Sequence, residues 1–215
     1  LSFSQWGKYL QVNSGIYIQY LSPILASSSL CLEAHGIGQA TYTTPLDASG
    51  LAQGLERGKL RTLFKLTLGG SNTCGFGIVC MGSLDDLVNN SGAFYRYELR
   101  SNSAYTLSRA TTSSLSADIP GTTLASSTQT VTLNVAGSME MEWIADITNL
   151  GGVYLVTRKG TATDFSDMTV VTQMINTGAG ILTTSSSEGL YLRAYGSASP
   201  GVRTLFNSTQ LYEMI

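Results

Sequence analysis

The stretch Glu188–Ile215, EGLYLRAYGSASPGVRTLFNSTQLYEMI, alternates in character on both sides of a Gly/Ser/Pro-rich turn. In an extended strand residues i and i+2 share a face. Leu190, Leu192 and Ala194 therefore lie on one side, with Tyr191, Arg193 and Tyr195 on the other. Two such runs about a turn predict a terminal antiparallel hairpin. No stretch of useful length shows the 3.6-residue period of a helix. The pattern restricts the chain to the all-β class.

Other strand-like runs fall at Lys8–Val12, Ile16–Leu21, Ser29–Ala34 and Gln39–Thr44, with a Gly-punctuated loop over Thr44–Gly58. Lys59–Leu68 alternates most cleanly: Leu60, Thr62, Phe64, Leu66 and Leu68 on one face, Lys59, Arg61 and Lys65 on the other. Cys74–Met81 is apolar on both faces and carries glycines, as a central strand with a close neighbour does. Ala93–Arg100 and Ala104–Ala110 read as a hairpin. Thr111–Ser127 reads as a Ser/Thr-rich loop turning at Pro120. Gln129–Val135, Ser138–Thr148, Gly152–Lys159 and Met168–Ile175 complete the strands, with Asn149-Leu-Gly-Gly as a hairpin turn. Short strands at this density predict an antiparallel β-sandwich or barrel in one domain, 1–215. The closing run, Arg203–Tyr212, is expected beside an early strand in Lys8–Leu21. Phe206 and Leu211 have opposite parity, so a bulge near Asn207–Gln210 is needed to turn both inward.

Charged residues make up only 12% of the 215, about half the ~25% usual for soluble proteins. Serine, threonine, glycine and asparagine replace them, which suits an extracellular or virion surface. A net charge of −2 and the lack of any Lys/Arg run argue against electrostatic nucleic-acid binding. No apolar stretch has the length of a membrane-spanning helix. A chain opening at Leu1 is expected to be processed or part of a longer product. Cys74 and Cys80, at the ends of one strand, would lie roughly 20 Å apart at ~3.3 Å per residue, too far for a disulfide. Buried free thiols are expected, and a bridge from Cys31 to one of them stays open.

Several segments in this order are familiar: Phe3–Trp6 leading into KYLQVNSGIYIQ, then KLRTLFKLTLGG, GFGIVCMG, FYRYELRSN and SMEMEWIADITNLGGVYLVTRKG. They end on Gly189–Leu192 and Phe206–Tyr212. The series resembles the concanavalin-A-like lectin/glucanase jelly rolls, two curved antiparallel sheets packed face to face. That superfamily includes lectins, glycan hydrolases, lyases and virion appendages. Uncharged, Ser/Thr-rich versions look most like bacteriophage or other viral structural proteins.

Glucanases of that superfamily place carboxylates at i, i+2 and i+4 of one strand. Here Glu140 and Glu142 occupy two of the places, but Ile144 takes the third and the next acid is Asp146. A retaining pair needs carboxyl groups ~5–5.5 Å apart, which i and i+2 approach. The broken triplet predicts instead an outward polar face behind a core of Met139, Met141, Trp143 and Ala145. His35, the single histidine, sits at an Ala-His-Gly turn and reads as a loop residue. Asp85, Asp86, Asn89 and Asn90 could offer oxygens to calcium but lack the alternating spacing and glycine of such loops. Asn89 and Asn207 lie in Asn-x-Ser/Thr sequons.

The aromatic and cationic faces carry the binding candidates. Tyr95 and Tyr97 share one face of Ala93–Arg100, with Phe94, Arg96, Glu98 and Arg100 on the other. Together with Trp143, Tyr191, Arg193 and Tyr195 they form the set expected to meet a glycan or a subunit interface, since tyrosine suits both. The chain is accordingly expected to be a non-enzymatic virion structural or appendage protein, decorating a capsid or forming part of a fibre. No cofactor or metal is expected. Partners would be other virion proteins, further copies of itself and cell-surface polysaccharide. A secreted lectin-like module is the alternative, and a glycan hydrolase or lyase a more distant one.

Overall fold

Along β5 (Arg57–Leu68) Leu60, Thr62, Phe64 and Leu66 are buried, while Lys59, Arg61 and Lys65 are half-buried on the opposite face. That alternation is the expected one, and it gives a strand one apolar side that another layer must cover. The computed structural model describes residues 6–11, 16–20, 30–34, 40–45, 54–68, 74–82, 93–102, 104–111, 121–185, 187–194 and 202–215. For the first four segments, and at 68, 110, 111, 121, 187, 194 and 202, only the backbone is described.

The strands form two antiparallel seven-stranded sheets. The first runs β1 (Trp6–Gln11), β4 (Ala40–Pro45), β13 (Ser187–Ala194), β6 (Cys74–Gly82), β7 (Ala93–Arg100), β8 (Ala104–Thr111) and β9 (Gly121–Thr128). The second runs β12 (Thr169–Asn176), β11 (Gly152–Gly160), β10 (Ala136–Asp146), β5, β14 (Val202–Glu213), β3 (Leu30–Ala34) and β2 (Ile16–Tyr20). The all-β sandwich read from the sequence is the observed fold. The β10–β11 hairpin turns through a single helical turn, α1 (Ile147–Leu150), capped by Asp146 and closed by Gly151 at φ 65°. Only a residue that tolerates left-handed backbone serves there.

Phe64, Phe76 and Phe206 meet across the interior, with ring centroids 5.0 and 6.3 Å apart. Tyr95, Tyr97 and Tyr105 point inward from the first sheet, and their hydroxyls reach the second. Tyr97 donates to Arg158 O at 3.1 Å, Tyr105 meets Thr157 Oγ1 at 2.8 Å, and Tyr95 accepts from Asn176 Nδ2 at 2.8 Å. A buried hydroxyl without a partner costs ~1–3 kcal/mol, so each tyrosine is placed where the facing sheet supplies one. Cys74 and Cys80 are buried free thiols in β6, and burial pushes the Cys74 thiol up to about 11. Cys31 lies in β3, and its side chain is outside the described residues.

Four expectations need correction. The terminal runs do not form a hairpin: β13 lies between β4 and β6 in the first sheet, and β14 between β5 and β3 in the second. Each has an aliphatic face to bury, and placing them in opposite sheets turns both faces to the same core. For the same reason β14 adjoins β3 rather than Lys8–Leu21, with β2 one strand further out. Within Thr111–Ser127 a strand forms, β9, pairing with β8. As an edge strand it needs little apolar surface, and among its described side chains Leu124 and Ala125 pack on the core. Gln129–Val135 is not a strand, because Asn134 adopts φ 62° and bonds Leu66 O while Val135 N–H returns to Thr132 O. Val131 alone of that run reaches the core. The bulge is observed: the β14–β5 register shifts between Asn207 and Gln210, with Ser208 at φ 49°.

Candidate ligand-binding face

The face of the first sheet turned away from the core is built on glycine and is largely buried. In register across β13, β6 and β7, Tyr191 faces Gly77, which faces Glu98, and Arg193 faces Gly75, which faces Arg100. With no side chain on β6 at these positions, groups on the flanking strands meet over it. A Cβ at Gly75 would fall 2.5 Å from Glu98 Cδ, and one at Gly77 only 1.9 Å from Tyr97 O.

Glu98 is the hub. Its Oε1 accepts from Arg100 Nε at 2.7 Å, and its Oε2 lies 3.7 Å from Arg96 Nη1. Arg96 Nε donates to Ser108 Oγ at 3.2 Å, and its Nη1 donates to Tyr191 Oη at 3.5 Å. The Arg96 guanidinium carbon lies 5.8 Å from the centre of the Tyr191 ring. Arg193 completes the group on β13. Among the described residues the group gathers three guanidinium groups and one carboxylate. Tyr191 and the carboxylate are fully or almost fully buried, as are Arg96 and Arg193, whereas the Arg100 side chain is 34% exposed. Arg100 is thus the member of this group that solvent reaches best. Burial pushes the Tyr191 hydroxyl up despite the opposing pull of Arg96 and Arg193. It stays a phenol and acts as a hydrogen-bond group rather than a base.

Of the sequence candidates, Tyr191 and Arg193 belong to this group. Tyr95, Tyr97 and Trp143 do not: all three are fully buried in the core and present no face to a ligand. The rim hydroxyl expected to meet a sugar meets the opposite sheet instead, and Trp143 Nε1 donates to Leu55 O at 2.7 Å. Tyr195, His35, Asp85, Asp86, Asn89 and Asn90 lie outside the described residues. Arg96, Glu98 and Arg100 were legible as one strand face but not as partners of Tyr191, because nothing local in the sequence places β6 between β7 and β13.

Glu140 and Glu142 face away from Met139, Met141 and Trp143, as alternation requires. Both accept from Arg158 Nη1, at 2.5 and 2.9 Å. One guanidinium therefore bridges both groups of the would-be catalytic pair. Among the described residues no group of three or more His, Cys, Asp or Glu could hold a metal ion. No described helix is long and apolar enough to cross a membrane.

The chain matches no protein-family model and no curated protein by sequence. Its fold is similar to several solved structures. Carbohydrate-binding module CBM66 from Bacillus subtilis is 10% identical with a TM-score of 0.55, over 97% of this chain and 96% of that one. The PL-14 alginate lyase from Aplysia kurodai is 12% identical with a TM-score of 0.61, over 93% and 87%. The potassium-bound carbohydrate recognition domain of Emp46p is 12% identical with a TM-score of 0.54, over 99% and 90%. At such identities the likeness is one of fold: the chain adopts the two-sheet jelly roll shared by these lectin- and glycosidase-like proteins.

Proposed function

We propose that the chain is a non-enzymatic, lectin-like glycan-binding module. Its ligand face is the outer surface of the first sheet at Arg100, and its ligands are saccharides bearing a carboxylate or sulfate. The observation that carries this reading is a part-exposed guanidinium held by a buried carboxylate, with two further arginines behind it. A guanidinium's planar fork matches the paired oxygens of a carboxylate or sulfate. The fold neighbours support a saccharide: one is named a carbohydrate-binding module, another a carbohydrate recognition domain, and a third an alginate lyase. A binding role is favoured over turnover because Tyr191 is held protonated and the Glu98 carboxylate is paired with arginines.

Calorimetry with uronate and sulfated oligosaccharides, and neutral ones as control, tests it. Arg100→Ala is expected to weaken acidic ligands at least 10-fold. Equal affinity for neutral sugars, or no change in Arg100→Ala, removes the reading, and shortening of the oligosaccharide on incubation would make the chain an enzyme.

A virion structural or appendage role is a second reading, and β12 favours it. This edge strand, TVVTQMIN, has neither charge nor proline, and its Val170 and Ile175 are exposed. Such an edge invites pairing with another chain. Mass measurement in solution should find oligomers, and a strictly monomeric chain up to high concentration would rule against self-assembly.

A further inference from the structure

The outer face of the second sheet holds a separate arrangement that the first-sheet reading does not use. Arg61 on β5 stands in register between Glu140 on β10 and Gln210 on β14. Glu140 is taken by Arg158, so Arg61 has no ion pair among the described residues. It is held by neutral groups instead. Its Nε donates to Gln210 Oε1 at 2.7 Å and its Nη2 to Tyr212 Oη at 2.8 Å. The Tyr212 hydroxyl also donates to Gln210 Oε1, closing a triangle.

Two rings flank the guanidinium, whose carbon lies 4.6 Å from the centre of Phe165 and 5.2 Å from that of Tyr212. A second cation, Lys59 Nζ, lies 5.1 Å from the centre of the Tyr212 ring.

Phe165 is brought there by strained backbone. It adopts φ 67°, a conformation unfavourable for a bulky non-glycine residue. Its loop is pinned on both sides. Asp167 accepts from Thr161 N, Thr161 Oγ1 and Ala162 N at 2.8, 2.6 and 2.9 Å, and Asp164 accepts from Ser166 N and Oγ at 3.0 and 2.6 Å. Strain held in this way points to a use for the residue so placed. Gln210 and Tyr212 reach this face only because the bulge at Asn207–Gln210 reverses their parity relative to Phe206.

The geometry points to a second binding site here: Arg61, with Tyr212, Phe165 and Lys59, takes the carboxylate of an acidic sugar whose ring lies on the Tyr212 face. A cation with neutral partners keeps its charge available, and its fork pairs with a carboxylate through two parallel bonds. Tyr212 is 36% exposed, which leaves its ring accessible. The site lies on the opposite sheet from Arg100 and does not depend on it.

The test is amide-resolved NMR titration with an oligogalacturonate, a neutral cello-oligosaccharide of equal length and inorganic phosphate. Oligogalacturonate should shift amides around 59–61, 163–167 and 210–213, with the neutral sugar and phosphate much weaker. Arg61→Ala should weaken that response at least 10-fold. Arg61→Lys, which keeps stem and charge but not the fork, should weaken it several-fold. Arg100→Ala should leave it intact while removing any response on the first sheet, so that the two sites stand or fall separately. Unchanged shifts in both Arg61 variants, an equal response to the neutral sugar, or phosphate as effective as the oligogalacturonate would overturn the assignment.

Discussion

A chain ending before Leu205 is expected to lose its cooperative melt altogether. β14 lies inside the second sheet, bonded along one side to β5 and along the other to β3. Its removal strips a neighbour from β5 and detaches the β2–β3 ribbon from the rest of that sheet. It also withdraws Phe206, fully buried against Phe76, together with Leu211. The bond from Met214 N to Arg57 O at 3.1 Å goes with it. Truncating one buried phenylalanine to alanine costs ~3–5 kcal/mol, against a total stability of about 5–15 kcal/mol for a typical domain. Losing a central strand exceeds what remains. Circular dichroism through a thermal ramp is the check. A truncated chain that stays soluble and melts as the full one does would show β14 to be an appendage.

Stability is expected to fall as pH rises from about 4.5 to 8, and Glu188→Gln should abolish that part of the fall. Glu188 is fully buried, beside Cys80, where the β13–β6 register shifts and Met81 adopts φ 57°. Its Oε2 accepts from Leu55 N at 3.2 Å and Ser185 Oγ at 3.5 Å, while Oε1 has no hydrogen-bond partner among the described residues. Burial raises the carboxyl from 4.5 to about 8, more than these two bonds offset. The folded state therefore holds its proton where the unfolded chain has released it. The contribution is complete below pH 4.5, declines across the window and is gone above about 8. At ~1.4 kcal/mol per pH unit, the difference amounts to several kcal/mol. Glutamine keeps an acceptor for Leu55 N–H and carries no charge. Urea melts at pH 5 and pH 8 should show the wild type losing about 3 kcal/mol more than Glu188→Gln. Equal losses would mean that Glu188 is ionised in the folded chain.

The same residue explains how the end of the core is closed. Leu55 is held twice, its N–H by Glu188 from the first sheet and its carbonyl by Trp143 from the second. Trp143 was legible as an aromatic candidate, and its core alternative was legible too, from Met139 and Met141 two residues apart. Deciding between them required the segment that covers it, and that contact joins residues 88 apart in sequence.

What a strand shows in its own residues was readable in advance. The two faces of β5 and of β10, the burial of Cys74 and Cys80 as free thiols, and the bulge forced by Phe206 and Leu211 were all legible in the residues of single strands. β9 was missed because a Ser/Thr edge strand buries too little to leave such a period. Gln129–Val135 was overread because alternation without a partner strand does not hold a chain extended.

By itself, then, the sequence determined the class of fold, the inward face of each strong strand and the place where β14 must bulge. Each follows from side-chain direction, which is local. Only the tertiary structure decided that β13 and β14 part into opposite sheets, and that Glu98 and Tyr191 meet over glycines of a third strand. It alone showed that Tyr95 and Tyr97 spend their hydroxyls on the facing sheet, and that Arg61 is left without a carboxylate among the described residues. These depend on which strands become neighbours, and that is settled by burying all the apolar faces at once.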